Sequence, residues 1–115
     1  SPRLLDALSQ SSVPVVPGVS NTADILLAKE YGFTEQKLFP ASLCGGEQFL
    51  KAVSSVFADI RFCPTGGINE QNFKDYLALN NVMAVGGTWV AQPQWVQSKD
   101  YDKITQACLQ VLNNN

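Results

Sequence analysis

The chain has 115 residues, of which 45% are hydrophobic and 16% charged, a balance typical of one globular domain. Its formal net charge is −2 and it has no basic run, so no large nucleic-acid-binding surface is expected. No apolar run approaches the roughly 20 residues that a membrane-spanning helix needs, and no signal-peptide pattern opens the chain. We therefore expect a cytoplasmic protein that binds neither membranes nor nucleic acid.

Two residue types limit the chemistry that this chain can perform. Histidine is absent, which excludes Ser-His-Asp and Cys-His catalysis within the chain and disfavours a catalytic zinc site. The three cysteines, Cys44, Cys63 and Cys108, are odd in number and widely spaced. This favours free thiols in a reducing compartment over a disulfide framework or a zinc site. Lysine, carboxylate, hydroxyl and backbone amide groups remain, and neither a metal nor another cofactor is expected.

A regular alternation of strand and helix patterns runs along the chain. Residues 2–8 are predicted to form a helix, after which four short apolar runs follow at nearly equal steps. Each run is succeeded by a turn and a helical pattern, which is typical of repeated βα units and a parallel sheet. The predicted strands comprise residues 13–16, 37–39, 60–63 and 82–85.

The helical patterns between these strands carry start signals of their own. Asn21 is predicted to cap a helix that has Asp24 at its third position, and Asn69 is predicted to cap a later one. Residues 100–112 are predicted to form the last helix. The helix led by Glu47 is predicted to present one apolar face, formed by Leu50, Val53, Val56 and Phe57.

One helix and four βα units amount to about half of a (β/α)8 barrel, which takes roughly 200–250 residues. We therefore predict an α/β fold in which residues 1–115 form a single partial domain, a fragment of a larger TIM barrel. A half-barrel leaves sheet edges and its inner apolar face uncovered, so Val15, Phe39, Phe62 and Val85 are predicted to be partly exposed. The alternative is a small open α/β domain.

Two predicted strands are each followed by a pair of glycines beside a threonine. Thr65-Gly66-Gly67 follows the third strand and Gly86-Gly87-Thr88 follows the fourth. A backbone without Cβ atoms approaches an anion closely and points its N–H groups at it. Barrels often bind phosphate in the loops after their seventh and eighth strands. The two pairs predict a phosphate site, although turn geometry alone is the alternative for either pair.

Lys37 is open to two interpretations from the residues alone. A lysine that forms an imine must be neutral, whereas a lysine in water has a pKa of about 10.4. Burial among apolar side chains such as Leu38 and Phe39 favours the neutral form and would make a nucleophile. The alternative is a lysine at the edge of a strand that reaches solvent.

Four segments together share their order and spacing with one known family. They are Pro14-Val15-Val16-Pro17-Gly18, Lys37-Leu38-Phe39-Pro40-Ala41, Phe62-Cys63-Pro64-Thr65-Gly66-Gly67-Ile68 and Val85-Gly86-Gly87-Thr88-Trp89. They closely resemble the C-terminal half of the 2-keto-3-deoxy-6-phosphogluconate (KDPG) aldolase family, which also acts on 4-hydroxy-2-oxoglutarate (KHG). The resemblance implies a class I, metal-independent (β/α)8 barrel, usually a homotrimer, that forms a Schiff base between a lysine and pyruvate.

The resemblance also implies roles for residues of this chain. Lys37 matches the Schiff-base lysine, and Thr65 to Gly67 and Gly86 to Thr88 match the phosphate-binding segments. The implied reactions cleave KDPG to pyruvate and glyceraldehyde 3-phosphate, and KHG to pyruvate and glyoxylate. The partners are therefore pyruvate and a small phosphorylated keto acid. The implied rim of the active site comprises Pro17, Gly18, Phe39 and Pro40.

The chain departs from the family pattern in several ways. Thr88 stands where serine is common, Ser42 stands where glutamate is often found, and Leu38 stands where phenylalanine is common. Leu38 is similar to the residue in the sister 2-keto-3-deoxy-6-phosphogalactonate aldolases. The family's general acid/base, a glutamate on an early strand, has no match here, so the chain alone is predicted to be inactive. A non-catalytic phosphate-binding half-barrel or assembly fragment remains the alternative, beside the sister aldolase.

Overall fold

The computed structural model describes residues 1–10, 15–89, 97–99 and 101–113. Three strands form one open sheet in the order β1 (Gly18–Val19), β2 (Glu35–Leu38) and β3 (Arg61–Pro64). Both pairings are parallel, and Lys37 lies opposite Cys63 in the second one. The parallel α/β arrangement predicted for these units is confirmed.

The predicted strand positions hold for the two middle strands and fail for the first. β2 and β3 overlap the predicted segments 37–39 and 60–63. β1 instead begins at Gly18, and Val15 and Val16 belong to no strand. Val13 and Pro14, with which the predicted first strand began, lie outside the described residues.

The fourth predicted strand, residues 82–85, is reduced to two isolated parallel bridges. Phe62 bridges to Val82, and Thr65 bridges to Gly86. The N–H of Gly86 still donates to the Pro64 carbonyl at 3.0 Å, so the segment runs beside β3. Among the described residues it makes only these two isolated bridges, so no regular fourth strand forms. The prediction of four complete βα units is therefore wrong by one strand.

The described residues contain five helices, none of which is long and apolar enough to cross a bilayer. Asn21 caps the second as predicted, since its side chain accepts the Asp24 N–H at 2.8 Å. The fifth agrees with the prediction, although Asp100 lies outside the described residues. The helices are α1 (Pro2–Ser9), α2 (Thr22–Glu30), α3 (Gly46–Val53), α4 (Phe73–Leu77) and α5 (Tyr101–Asn113).

Two details of the predicted helices are wrong. Asn72, not Asn69, is the N-cap residue of α4. The Asn69 side chain instead accepts the N–H of Gln71 at 2.9 Å and so forms a turn ahead of the helix. Val56 is 69% exposed, because α3 ends at Val53 and the following turn carries Val56 away from the core.

Alternation along the strands gives the sheet two unlike faces. The helix face, which carries Val19, Leu38 and Phe62, is buried in one core with residues of α2, α3 and α4. The open face carries Gly18, Lys37 and Cys63, and none of these residues belongs to that hydrophobic core.

The exposures predicted for a half-barrel hold at three of the four positions. Phe39 is 51% exposed, and Val15 and Val85 are half-buried. Phe62 is fully buried, so its predicted exposure is wrong. The reason is the two-residue period of the strand, which turns Phe62 toward the helices rather than toward the open face.

Candidate active site

The carboxyl ends of the parallel strands meet at one edge of the sheet. Lys37 lies there between Gly18 of β1 and Cys63 of β3, its partners in register. The Lys37 N–H donates to the Pro17 carbonyl at 2.8 Å, which ties the segment before β1 to β2. Gly18, Lys37 and Cys63 therefore lie side by side on the open face, and Lys37 has the longest side chain of the three.

The Lys37 side chain is exposed rather than enclosed. Its Nζ atom lies 5.3 Å from the centre of the Phe39 ring, so the two side chains share one face as strand alternation predicts. Two polar residues, Glu35 and Gln36, precede Lys37 in β2, and the apolar Leu38 that follows it is buried on the helix face. The apolar enclosure that the sequence suggests for this lysine is therefore not formed by the described residues alone.

The segment that follows β2 crosses directly over the end of β3. The Thr65 N–H donates to the Leu38 carbonyl at 2.9 Å, and the Ala41 N–H donates to the Thr65 carbonyl at 2.7 Å. One residue further on, the Ser42 N–H donates to the Gly66 carbonyl at 3.2 Å. These hydrogen bonds hold the rim residues after β2 against the first glycine pair.

The first glycine pair adopts a backbone that favours glycine. Gly66 has φ of +96° and Gly67 has φ of +78°. A Cβ atom on Gly66 would lie 3.0 Å from Cα of Pro40, and one on Gly67 would lie 2.6 Å from Cβ of Ser42. Glycine is therefore required at both positions by the backbone conformation and by the close approach of the neighbouring loop.

The hydrogen bonds of this pair leave its amide groups available. The Gly66 carbonyl accepts from the Ser42 N–H, and the Gly67 carbonyl accepts from Nδ2 of Asn72 at 2.9 Å. Within the described part of the chain, neither glycine N–H donates to a protein oxygen. Successive amides with this arrangement form a concave nest suited to an anion.

The second glycine pair lies beside the first. Thr65 bridges to Gly86, and a Cβ atom on Gly86 would lie 2.6 Å from Oγ1 of Thr65. A Cβ atom on Gly87 would overlap the Trp89 ring, which stacks on Phe73 of α4 with 5.7 Å between ring centres. Both glycines therefore allow this segment to lie close to its neighbours.

Thr88 completes the second loop and is exposed. Among the described residues, no protein oxygen accepts the N–H of either Gly87 or Thr88. Four amide groups and the Thr88 hydroxyl are thus available at the two loops. The loops follow neighbouring parallel segments, so they lie at the same edge of the sheet as the end of β2.

The structure brings the sequence-predicted residues of the site to this one edge. In the part of the chain that the structure describes, no group of three or more His, Cys, Asp or Glu side chains is placed to hold a metal ion. Two residues at this edge were given no role from the sequence: Ser42, which contacts Gly67, and Asn72, which holds the Gly67 carbonyl. The sequence order could have indicated the position of Ser42, because residues that follow neighbouring parallel strands lie side by side in the fold.

Comparison with known families gives a match along almost the whole chain. The family model described as "Aldolase: KDPG and KHG aldolase" matches residues 1–107. A 2-dehydro-3-deoxy-phosphogluconate aldolase from Dickeya dadantii is 45% identical over 102 residues, which are 89% of this chain and 48% of that protein. The chain spans about half the length of the curated relatives it matches.

Solved structures give the same result. The KDPG aldolase of Legionella pneumophila, with pyruvate captured as a covalent carbinolamine intermediate, matches with a TM-score of 0.89 at 40% identity, over 91% of this chain and 51% of that one. The KDPG aldolase of Zymomonas mobilis ZM4 with 3-phosphoglycerate matches with a TM-score of 0.81 at 35% identity, over 96% of this chain and 50% of that one. With its TIM-barrel-like α/β fold, the chain belongs to the KDPG and KHG aldolase family.

Proposed function

We propose that residues 1–115 are the C-terminal half of a class I aldolase that cleaves KDPG to pyruvate and glyceraldehyde 3-phosphate. The observation that carries the proposal is the position of Lys37 on the open face, at the sheet edge that also bears both glycine loops. An amine and an anion-binding backbone at one edge suit a substrate with a ketone at one end and a phosphate at the other. The Legionella relative, which holds pyruvate as a covalent carbinolamine, supports the chemistry.

Lys37 is the nucleophile in this proposal. Its neutral amine adds to the ketone of the substrate, and loss of water leaves an imine that becomes protonated. A general base, supplied from outside this chain, takes the proton of the hydroxyl group on the departing carbon, and the electron pair of the breaking carbon–carbon bond moves into the protonated imine. The aldehyde is released and an enamine remains. Protonation of the enamine and hydrolysis give pyruvate and return Lys37. KHG, which splits to pyruvate and glyoxylate, needs the same steps without a phosphate.

The glycine loops bind the phosphate of the substrate in this proposal. The amide groups of Gly66, Gly67, Gly87 and Thr88 donate to no protein acceptor among the described residues, and the Thr88 hydroxyl adds a fifth donor. Backbone donors in a nest suit a phosphate because they bring partial positive charge without bulky side chains. The Zymomonas relative that carries 3-phosphoglycerate supports a phosphorylated three-carbon product.

The chain alone lacks part of this machinery. No carboxylate of this chain matches the family's general acid/base, and general acid–base assistance contributes about 10²–10⁴-fold to such reactions. The exposed Lys37 also needs enclosure from outside the described residues. We therefore propose that residues 1–115 are one partial domain, inactive when alone, and that the complete barrel assembles as a homotrimer.

The sister phosphogalactonate activity has no support from the geometry of this site. The one residue that suggested it, Leu38, is fully buried on the helix face of β2. Its side chain therefore packs against the helices and cannot contact a substrate on the open face. Sugar preference must come from residues on the other face of the sheet.

Borohydride trapping tests the proposal. The test protein is the complete aldolase that contains residues 1–115, or residues 1–115 joined to the N-terminal half of the Dickeya dadantii relative. Either one is called the full-length form below. With pyruvate and borohydride, we expect a stable adduct on the peptide that contains Lys37, found by mass spectrometry. Lys37→Ala should abolish the adduct and lower KDPG cleavage by about 10³-fold or more. An adduct on another lysine, or full activity of Lys37→Ala, contradicts the proposal.

A further inference from the structure

Ser42 occupies the space directly beside Gly67. Its N–H donates to the Gly66 carbonyl at 3.2 Å, which fixes its main chain along the glycine pair. A Cβ atom on Gly67 would lie 2.6 Å from Cβ of Ser42 and would overlap its Oγ. The Ser42 hydroxyl therefore lies beside Gly67, whose amide group is one of the two available in the first loop of the proposed phosphate site.

The hydroxyl of Ser42 differs from those of Ser9 and Ser54, which are bound to main-chain carbonyl groups. Ser9 donates to the Asp6 carbonyl at 2.8 Å, and Ser54 donates to the Lys51 carbonyl at 2.8 Å. Ser42 is exposed, and its Oγ makes no hydrogen bond with any described residue. Its proton is free to turn toward a ligand, since a hydroxyl rotates to suit its acceptor.

We propose that the Ser42 hydroxyl donates a hydrogen bond to the substrate phosphate, beside the amides of Gly66 and Gly67. The inference extends the phosphate site of the proposed function and rests on it. It makes the segment after β2 a third wall of that site, in addition to the two glycine loops. The donor is neutral and its main chain is already fixed, so little ordering is required when the anion binds.

Removal of the hydroxyl tests this role in the full-length form. A hydrogen bond to a charged group is worth about 1.5–3 kcal/mol, so Ser42→Ala should weaken inhibition by inorganic phosphate by about tenfold or more. The KM for KDPG should rise in parallel, and the rise should be several-fold smaller for KHG, which carries no phosphate. Ser42→Asp should weaken phosphate binding further, because a carboxylate repels the anion. Ser54→Ala is the matched control and should leave phosphate inhibition unchanged.

A Gly86→Val variant separates this inference from the function on which it rests. If Gly86→Val weakens phosphate inhibition and Ser42→Ala does not, the phosphate site stands and the role of Ser42 is overturned. If neither variant changes phosphate inhibition, the phosphate site itself is wrong. Equal losses of KDPG and KHG cleavage in Ser42→Ala would also overturn the inference, because they would indicate a structural role rather than a contact with the phosphate.

Discussion

The two faces of the sheet differ although the same short strands build both. On the helix face, Leu38 and Phe62 are fully buried in a core that this chain completes by itself. On the open face, Lys37 and Phe39 remain exposed, and Cys63 is only half-buried. Stability is therefore supplied by one face, and the reactive groups lie on the other.

This division has a physical reason. An amine or a backbone amide that must meet a ligand cannot be satisfied by the core, because buried polar groups need partners inside the protein. Strand alternation lets one strand provide both a ligand-binding group and a core residue, because Lys37 and Leu38 are neighbours in sequence and point in opposite directions. Substitutions at adjacent positions should therefore have unrelated effects.

The sharpest test compares Lys37→Ala with Leu38→Ala in the full-length form. Leu38→Ala leaves a cavity in the core and should lower the free energy of unfolding by about 2–5 kcal/mol. Lys37→Ala removes a side chain that lies outside this core and should lower it much less than Leu38→Ala does, despite the loss of activity. Urea unfolding followed by circular dichroism measures both. Similar losses of stability in the two variants would mean that the open face is also part of the core.

A second comparison concerns two glycines with left-handed backbone. Gly67 has φ of +78° and contacts Ser42, whereas Gly32 has φ of +89° and has open space where a Cβ atom would be. Alanine at either position costs about 1–2 kcal/mol from the backbone alone. Gly67→Ala should cost more than Gly32→Ala, because Ser42 must also move, and it alone should weaken phosphate inhibition. Equal unfolding midpoints and equal phosphate inhibition would contradict the close packing of the loops.

The N-cap of α2 should have a smaller effect and should not reach the site. The Asn21 side chain accepts the Asp24 N–H at 2.8 Å. Asn21→Ala should therefore lower the free energy of unfolding by about 1 kcal/mol. Asn21→Ser, which restores a capping oxygen, should recover most of it. The imine adduct on Lys37 should form normally in both variants, and its loss in Asn21→Ala would show that this helix start also supports the open face.

The smallest expected effect is a pH-dependent change in stability, caused by an ion pair at the opposite edge of the sheet. The hydrogen bond from Lys29, 3.2 Å away, is the main cause that lowers the pKa of Asp59 below its ordinary value. A lowered folded-state pKa stabilises the protein above the unfolded-state value, and this stabilisation is lost as the pH falls below about 4. Asp59→Asn should therefore reduce the unfolding midpoint slightly at pH 7, and this reduction should shrink as the pH falls through the lowered folded-state pKa.

The pair is exposed, so the effect should shrink further in salt. Glu30→Gln is the control, because Glu30 lies on the same helix as Lys29 and forms no ion pair with a described residue. A difference between Asp59→Asn and the unsubstituted protein that does not shrink as the pH falls would show that the carboxylate charge is not the cause.

Local patterns in the sequence determined several parts of this protein. The Asn21 cap, the parallel strands β2 and β3, and the shared face of Lys37 and Phe39 were all predicted correctly. Each depends on neighbouring residues, namely a capping oxygen, a run of alternating side chains or the period of a strand. Such signals act over a few residues, so they can be read without knowledge of the remaining chain.

Only the tertiary structure decided which surfaces meet. The sequence contains no sign that Phe62 faces the helices, because alternation defines two faces but not which one is covered. The segment 82–85 has the composition of a strand yet forms only isolated bridges, an outcome that no pattern within the segment specifies. The contact of Ser42 with Gly67 likewise arises because β2 and β3 end side by side. Contacts between segments distant in sequence depend on strand register and helix packing, which no local pattern specifies.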